Sequence, residues 1–531
     1  MPTITIDGRA IDVPAGTTVL EAAERLGIEI PSLCHLKGCD PSTSCLVCVV
    51  RISGTSRVLP SCATRIEDGM AVESETEAVH ALRRTALELL LSDHVGDCLA
   101  PCYFMCPAHM DIPLMLRQIG REEIREAIAT VKRDIALPAV LGRVCSKPCE
   151  KGCRRAPADG AVAVCDLKRF VAEEDLATGE PYLPEVAAPS GKRVAVVGGG
   201  PAGLAAAYYL VQAGHAVDLF EREPLLGGRL RSEFSEEQLP AEILDAELES
   251  LLAVGIEVHT GAAVATADDF EQLRREFDAL LVATGAAAAR DAGGWGLAVA
   301  ARGIDVERTT YQTNLPAVFA AGNALRGKGM VVRSVADGKE AAWSIHRVLS
   351  EGGGPLSEKP FSVRMGKVAP DQLGGFLAHA GTAPRQEADG GPAEYSLTEA
   401  VAQAERCLGC GCRAHCGCRL EGYATQYGAD PNRYGASRRP YAVHSHHPQI
   451  VYEPGKCIAC ELCIQIATKA GEPLGLSFVG RGFDVRVAVP FDRSLEEALS
   501  TVAAECVAAC PTAALSFKEE PFKSALPILG Q

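Results

Sequence analysis

The stretch KRVAVVGGGPAGLAAAYYLVQAGHAVDLFERE, residues 192–223, decides the reading of the fold. RVAVV is a buried strand, GGGPAG a tight turn, AGLAAAYYLVQ a helix, and AVDLF a second strand that ends in Glu221. Gly198, Gly200 and Gly203 supply the turn, the close backbone approach and the helix–strand contact that a pyrophosphate needs at a helix N-terminus. Glu221 can accept hydrogen bonds from the hydroxyls of an adenosine ribose. This is a Rossmann-type dinucleotide unit, and the glycine turn alone fits NAD as well as FAD.

Three further stretches favour FAD. Gly227 and Gly228 follow the acidic residue, as in the two-dinucleotide flavoproteins. FDALLVATGA (277–286), with Thr284 and Gly285, resembles their middle strand. LPAVFAAGNALRG (315–327), with Gly322 and Asn323, resembles the final strand that meets the flavin, and ADGKEAAWSIHRVL is the helix behind it. Asn323 stands where that family normally has aspartate, which removes one negative charge beside the cofactor. Only 28 residues, 286–313, lie between the middle motif and the final strand. A βαβ unit needs about 30 or more, so the nicotinamide domain usual at this point is expected to be deleted.

The net charge of −16 across 531 residues offers no broad basic surface, so nucleic acid is not an expected partner. The start, MPTITIDGRAIDVPAG, shows no export signal, and no apolar run reaches the ~20 residues of a membrane helix. A reducing, cytoplasmic compartment is expected, where clusters among the 22 cysteines serve metals more often than disulfides.

The cysteines fall into four groups. In the first, residues 3–6 and 10–13 form a hairpin around Asp7-Gly8, and TTVLEAAERLGIEI forms a helix capped by Thr17 or Thr18. Strands are expected near Val47–Val50 and Arg57–Leu59. Cys34, Cys45, Cys48 and Cys62 lie on the loops between these elements. Four thiolates on such a frame suit a [2Fe-2S] cluster, with structural zinc as the alternative. PSLCHLKGCDPSTSCLVCVV…LPSCA resembles the [2Fe-2S] domain of the large iron–sulfur subunit of respiratory complex I and related hydrogenases, which implies a β-grasp-like fold. Cys39 is extra to that pattern and reads as a plain thiol.

The second group follows an amphipathic helix over 75–92 and comprises Cys98, Cys102, Cys106, Cys145, Cys149, Cys153 and Cys165. One or two helices are expected over 111–135. CPAHMDIP…ALPAVLGRVCSKPCEKGCRR…VAVCDLKRF resembles the N-terminal domain of the glutamate synthase small subunit, shared with dihydropyrimidine dehydrogenase, which holds two [4Fe-4S] clusters. That resemblance continues through the flavin domain. It implies that Cys98, Cys102 and Cys153 share one cluster and that Cys106, Cys145 and Cys149 share the other, with Cys165 completing the second. His94 is spaced from Cys98 much like the histidine ligand of the complex I subunit; it is either the eighth ligand or a surface histidine.

The third group lies in RCLGCGCRAHCGCRLEGYATQYGAD. Cys407, Cys410 and Cys412 are expected to ligate, completed by Cys418 or Cys416; a resemblance to tail segments of related iron–sulfur flavoproteins favours Cys418, and zinc stays open. The fourth begins GKCIACELCIQ and ends ECVAACPTAAL. In a two-cluster ferredoxin the cysteine before proline crosses to the other run, so Cys457, Cys460, Cys463 and Cys510 form one [4Fe-4S] site. The second ferredoxin site has lost its ligands to Ala467, Ser500 and Ala503, which leaves Cys506 an ordinary thiol.

The expected organisation is multidomain α/β and α+β. A [2Fe-2S] domain covers 1–75, a helical domain with two [4Fe-4S] clusters 76–185, and a Rossmann-type FAD domain 190–350. A connector over 351–400 opens with the turn-rich EGGGPLSEKP and is followed by a cysteine-rich segment over 401–440 and a ferredoxin-like domain over 441–531. The composite reads as an electron-transfer subunit that passes electrons between FAD, one [2Fe-2S] cluster and three or four [4Fe-4S] clusters. Compatible partners are a formate dehydrogenase, a hydrogenase, an oxoacid oxidoreductase or an NADH-binding flavin subunit. The alternative is an NAD(P)H-dependent oxidoreductase like the glutamate synthase small subunit, with the nicotinamide site supplied by a partner.

Overall fold

The computed structural model describes residues 1–287, 292–351, 360–386, 395–413, 417–435 and 438–518. Most of EGGGPLSEKP, and Cys416, lie outside the described residues. The chain divides into two compact units, neither of them continuous in sequence.

The first unit comprises 1–99, 361–379 and 409–523. Its N-terminal part is a five-stranded sheet of β1 (Thr3–Ile6), β2 (Arg9–Asp12), β3 (Val49–Ile52), β4 (Val58–Pro60) and β5 (Met70–Glu73), in the order β2-β1-β5-β3-β4. Asp7 and Gly8 both take positive φ, which closes the expected hairpin. The helix α1 (Val19–Arg25) starts at Thr18, whose hydroxyl accepts from the Glu21 N–H while the Glu21 carboxylate accepts from the Thr18 N–H. β5, which pairs parallel with β1 and antiparallel with β3, was not expected from the pattern. The long helix α2 (Glu77–Ser92) is capped by Thr76. Its Leu87 and Leu91 share one core with Leu33, Leu420, Ala424 and Tyr427. Arg83 is buried, and it donates to the Val49 carbonyl at 3.1 Å and to the Tyr427 hydroxyl at 2.9 Å. The last part of the unit pairs Ile450–Tyr452 with Leu515–Phe517 and Ser477–Val479 with Arg486–Ala488, both antiparallel.

The second unit comprises the described residues of 100–360 and 380–408. The expected helical stretch 111–135 is two helices, Ile112–Gly120 and Ile124–Asp134. The dinucleotide sheet is parallel throughout: the strand Val318–Ala320, then β9 (Ala279–Val282), β6 (Arg193–Val197), β7 (Ala216–Glu221) and β8 (Glu257–Thr260). The helices Pro201–Gln212 and Val331–Glu351 carry its apolar cover, with Leu204, Leu210, Val335 and Ile345 fully buried. In the short segment after β9, Val299–Ala300 and Gly303–Ile304 form a minimal hairpin, and Trp295 stacks on Phe270 at 5.1 Å. A helix at Leu397–Ala404, capped by Ser396 and Glu399, closes the connector. Among the described residues no helix is long and apolar enough to cross a membrane.

Candidate cofactor sites

The glycine turn is shaped by contact. A Cβ at Gly203 would lie 1.9 Å from the Gly198 carbonyl oxygen, and one at Gly198, where φ is +112°, would lie 2.6 Å from the Ala283 oxygen. Gly200 caps the helix Pro201–Gln212, and a Cβ there would meet nothing within 4 Å, which leaves room for a phosphate at the helix N-terminus. Glu221 is buried and accepts from the Gly199 and Glu223 N–H groups at 2.7 and 2.9 Å. A carboxylate has about four acceptor positions, so it can pin the turn and still take a ribose hydroxyl. Gly228 packs its Cα side against Gly200, where a Cβ would approach to 3.1 Å. Gly285 and Gly322 both adopt φ of +71°. The Thr284 Oγ1, Asn323 Oδ1 and Ser334 Oγ atoms are buried without hydrogen-bond partners. Buried polar atoms are almost always satisfied, so two orphans on the motifs expected to meet a flavin, and a third on the helix behind them, fit a polar ligand there.

In the first unit, Cys34 and Cys45 bring their sulfurs to 3.3 Å, and Cys48 and Cys62 are likewise hydrogen-bonded. The hydrogen bond between the two sulfurs pulls the Cys34 pKa down to about 5, and that between Cys48 and Cys62 pulls Cys48 down to about 6. All four are buried at the junction of the sheet and its loops, whereas Cys39 is partly exposed. The C-terminal set is as compact. Cys457, Cys460, Cys463 and Cys510 line one cavity with Tyr452 and Val487. Burial pushes the Cys457 thiol up to about 11 and Cys460 up to about 12. Thiols that resist ionisation alone, on a cavity shared by four cysteines, are suited to a cation that compensates their charge. Cys506 is fully buried in the neighbouring apolar core, with its sulfur 3.8 Å from the Cys463 carbonyl.

In the second unit, Cys106, Cys145, Cys149 and Cys165 all lie near enough to the buried Lys168 for their charge to act on its ammonium. Cys165 and Lys168 lie three residues apart on one face of the helix Val164–Ala177, and Cys149 lies on the short helix Pro148–Lys151. The thiol of Cys165 hydrogen-bonds to Cys145 and lowers its pKa to about 6. Burial would depress the pKa of Lys168, but the four sulfurs outweigh it and hold the lysine charged. No pattern in the sequence marked this lysine, because its surroundings include three cysteines, Cys106, Cys145 and Cys149, that are distant from it in sequence. A fixed positive charge stabilises the reduced, more negative cluster. Lys168→Met is therefore expected to lower that cluster's midpoint potential by roughly 50–100 mV, equivalent to about 1–2 kcal/mol of charge interaction, while Lys168→Arg holds it. An EPR-monitored redox titration reads the shift, and an unchanged potential in the methionine variant would remove the lysine's role.

The remaining cysteines are divided. Cys102, Cys153 and Cys407 pack against the main core of the second unit, whereas Cys98, Cys410, Cys412 and Cys418 belong to the first. The division between the units therefore falls within the third group, with Cys407 on one side and Cys410, Cys412 and Cys418 on the other. His94 is buried rather than on the surface, and its Nδ1 has no hydrogen-bond partner.

Comparison with known proteins agrees with this geometry. Residues 1–77 match a 2Fe-2S iron-sulfur cluster binding domain, residues 93–180 match dihydropyrimidine dehydrogenase domain II with its 4Fe-4S cluster, and residues 183–338 match the pyridine nucleotide-disulphide oxidoreductase domain. These are the domains of an iron–sulfur flavoprotein. The chain is 38% identical over 207 residues to the NADP(+)-dependent formate dehydrogenase subunit beta of Moorella thermoacetica, which is 35% of this chain and 29% of that one. It is 32% identical over 189 residues to the NADPH-Fe(3+) oxidoreductase subunit beta of Geobacter sulfurreducens, which is 35% of this chain and 28% of that one. It is also 35% identical over 204 residues to the NAD-dependent dihydropyrimidine dehydrogenase subunit PreT of Escherichia coli, which is 37% of this chain and 49% of that one. The chain therefore spans less than half the length of these relatives. The chain thus carries [2Fe-2S], [4Fe-4S] and flavin-type domains in one polypeptide.

Proposed function

We propose that this iron–sulfur flavoprotein is an electron-transfer subunit of a multi-subunit oxidoreductase, passing electrons between FAD and iron–sulfur clusters and on to a partner redox enzyme. The observation that carries this reading is the convergence of cysteine sets in both units of a chain that also builds a flavin fold. Bound FAD supplies the exchange of two electrons for single ones, which the clusters lack. Gly200 and the Pro201–Gln212 helix would receive its pyrophosphate, Glu221 its ribose, and Thr284 and Asn323 its flavin end. Two of the relatives are named as subunits of a formate dehydrogenase and an Fe(3+) oxidoreductase, so a partner of that redox class suits the chain; hydrogenases and oxoacid oxidoreductases remain compatible.

Anaerobically purified protein should carry about 18 iron atoms if one [2Fe-2S] and four [4Fe-4S] centres are filled. A value near 2 to 6 would end the wire reading.

A second reading has support in the relatives' names, three of which specify NAD or NADP. In it the flavoprotein draws on NAD(P)H through a nicotinamide site on a partner. The 28 residues from 286 to 313 are too few for a further nucleotide-binding domain. The isolated chain should retain FAD that dithionite reduces but that NADH and NADPH do not bleach at a useful rate. Rapid stoichiometric bleaching by either nucleotide, without a partner, would show that the chain holds its own nicotinamide site.

A further inference from the structure

The third and second cysteine groups are each cut by the boundary between the two units, and the cuts are complementary. The first unit holds Cys98 from one group and Cys412 and Cys418 from the other; the second holds Cys102 and Cys153 with Cys407.

In the first unit the two segments are stitched together. Asp97 and Gly411 form a parallel bridge, and the Cys412 N–H donates to the Cys98 carbonyl at 3.0 Å. The Cys98 sulfur accepts from the Val363 N–H at 3.4 Å, and the Leu99 N–H donates to the Ser362 hydroxyl at 3.4 Å. Cys418 stands at the start of the helix Arg419–Gln426, where Leu420 donates to the Pro511 carbonyl at 3.1 Å. Cys412 and Cys418 both lie near enough for their charge to act on Cys98. Two segments more than 300 residues apart in sequence thus meet through their backbones at their cysteines, and a backbone N–H already points at one sulfur, as stabilises a thiolate.

In the second unit a clamp of two fully buried arginines does the corresponding work. Arg155, two residues after Cys153, donates to the carbonyl of Arg406 at 2.6 Å and to that of Gly381 at 2.9 Å. Arg406, adjacent to Cys407, donates to the Asp159 and Gly160 carbonyls at 3.0 and 2.9 Å. Buried guanidinium groups are rarely left in a core unless they are fully paired. These two fasten Cys407 beside the Cys153 strand of chain. Cys102 comes from the same side: a Cβ at Gly152 would lie 2.4 Å from Met105, three residues beyond it.

We propose that Cys98 and Cys407 exchange partners relative to their grouping in sequence: Cys98, Cys412 and Cys418 supply three ligands of one [4Fe-4S] cluster, and Cys102, Cys153 and Cys407 supply three of another. This rests on the electron-transfer reading above, because it concerns which thiolates hold the clusters that reading requires. Its consequence is that one cluster belongs to the body of the first unit and the other to the flavin-bearing unit.

Cysteine-to-serine variants of the full chain test the exchange, purified anaerobically and compared by iron content and low-temperature EPR. Retained FAD and a retained [2Fe-2S] signal report that each variant has folded. Cys98→Ser and Cys412→Ser should alter or remove the same signal with a loss of up to four irons. Cys153→Ser and Cys407→Ser should alter a second signal and leave the first. If Cys98→Ser and Cys153→Ser strike one signal that Cys412→Ser leaves intact, the exchange is overturned. Wild-type protein with only a few irons would instead defeat the electron-transfer reading itself, so the two failures are distinguishable.

Discussion

Replacing Cys510 with serine is expected to remove one cubane's four irons or convert it to a three-iron form, with a changed low-temperature EPR spectrum. Replacing Cys506 with alanine, only four residues away, is expected to leave the iron content unchanged. Cys510 faces the cavity shared with Cys457, Cys460 and Cys463. It caps the helix Ala503–Ala509, so its extended backbone turns the sulfur out of the helix and toward the earlier run. Cys506 lies within that helix, fully buried among Ala498, Leu499 and Val502. Losing its sulfur should cost about 1 kcal/mol of local packing. The reverse pattern, with iron lost in Cys506→Ala and kept in Cys510→Ser, would mean that the missing second ferredoxin site has been misidentified.

At the flavin turn, two alanine substitutions should part company. Gly203→Ala places a methyl group 1.9 Å from the Gly198 carbonyl and 3.3 Å from Val196, so the helix must leave the sheet. A destabilisation of about 3 kcal/mol or more and loss of bound flavin are expected, since neither backbone can yield cheaply. Gly200→Ala meets no protein atom within 4 Å. That variant should fold with a near-normal melting temperature yet hold FAD poorly, because its methyl group enters the space kept for the phosphates. Flavin-to-protein ratio and thermal unfolding separate these outcomes. A Gly200→Ala protein with full flavin would show that the pyrophosphate does not pass there.

Much of this was legible because local chemistry carried it. The 192–223 stretch announces its strand, turn and helix by composition alone, and the Thr18 cap follows from a side chain that reaches its own first turn. The spacing along two short runs singled out the four C-terminal cysteines that line one cavity. Three things were not legible, each for the same reason. β5 is a four-residue strand that exists only because β1 and β3 flank it. Lys168 reads as one more charge on an amphipathic helix until the sulfurs arrive around it. Cys407 and Cys410, with two residues between them in sequence, fall to different units, and Arg406 beside Cys407 is anchored by carbonyls some 250 positions earlier. Long-range closure leaves no periodic trace in the chain.

The composition of the first unit bears on how the protein is made. Leu33, Leu87 and Leu91 belong to the opening segment, yet their core is completed by Leu420, Ala424 and Tyr427. A ribosome adding about 5–20 residues per second needs roughly 15 to 60 seconds to cover the 310 or so positions between Leu99 and Gly409. Through that interval the apolar flank of α2 has no permanent cover. The order of synthesis thus makes the flavin-bearing body available to fold while the nascent N-terminal module, beside which Cys98 sits, still waits for its other half.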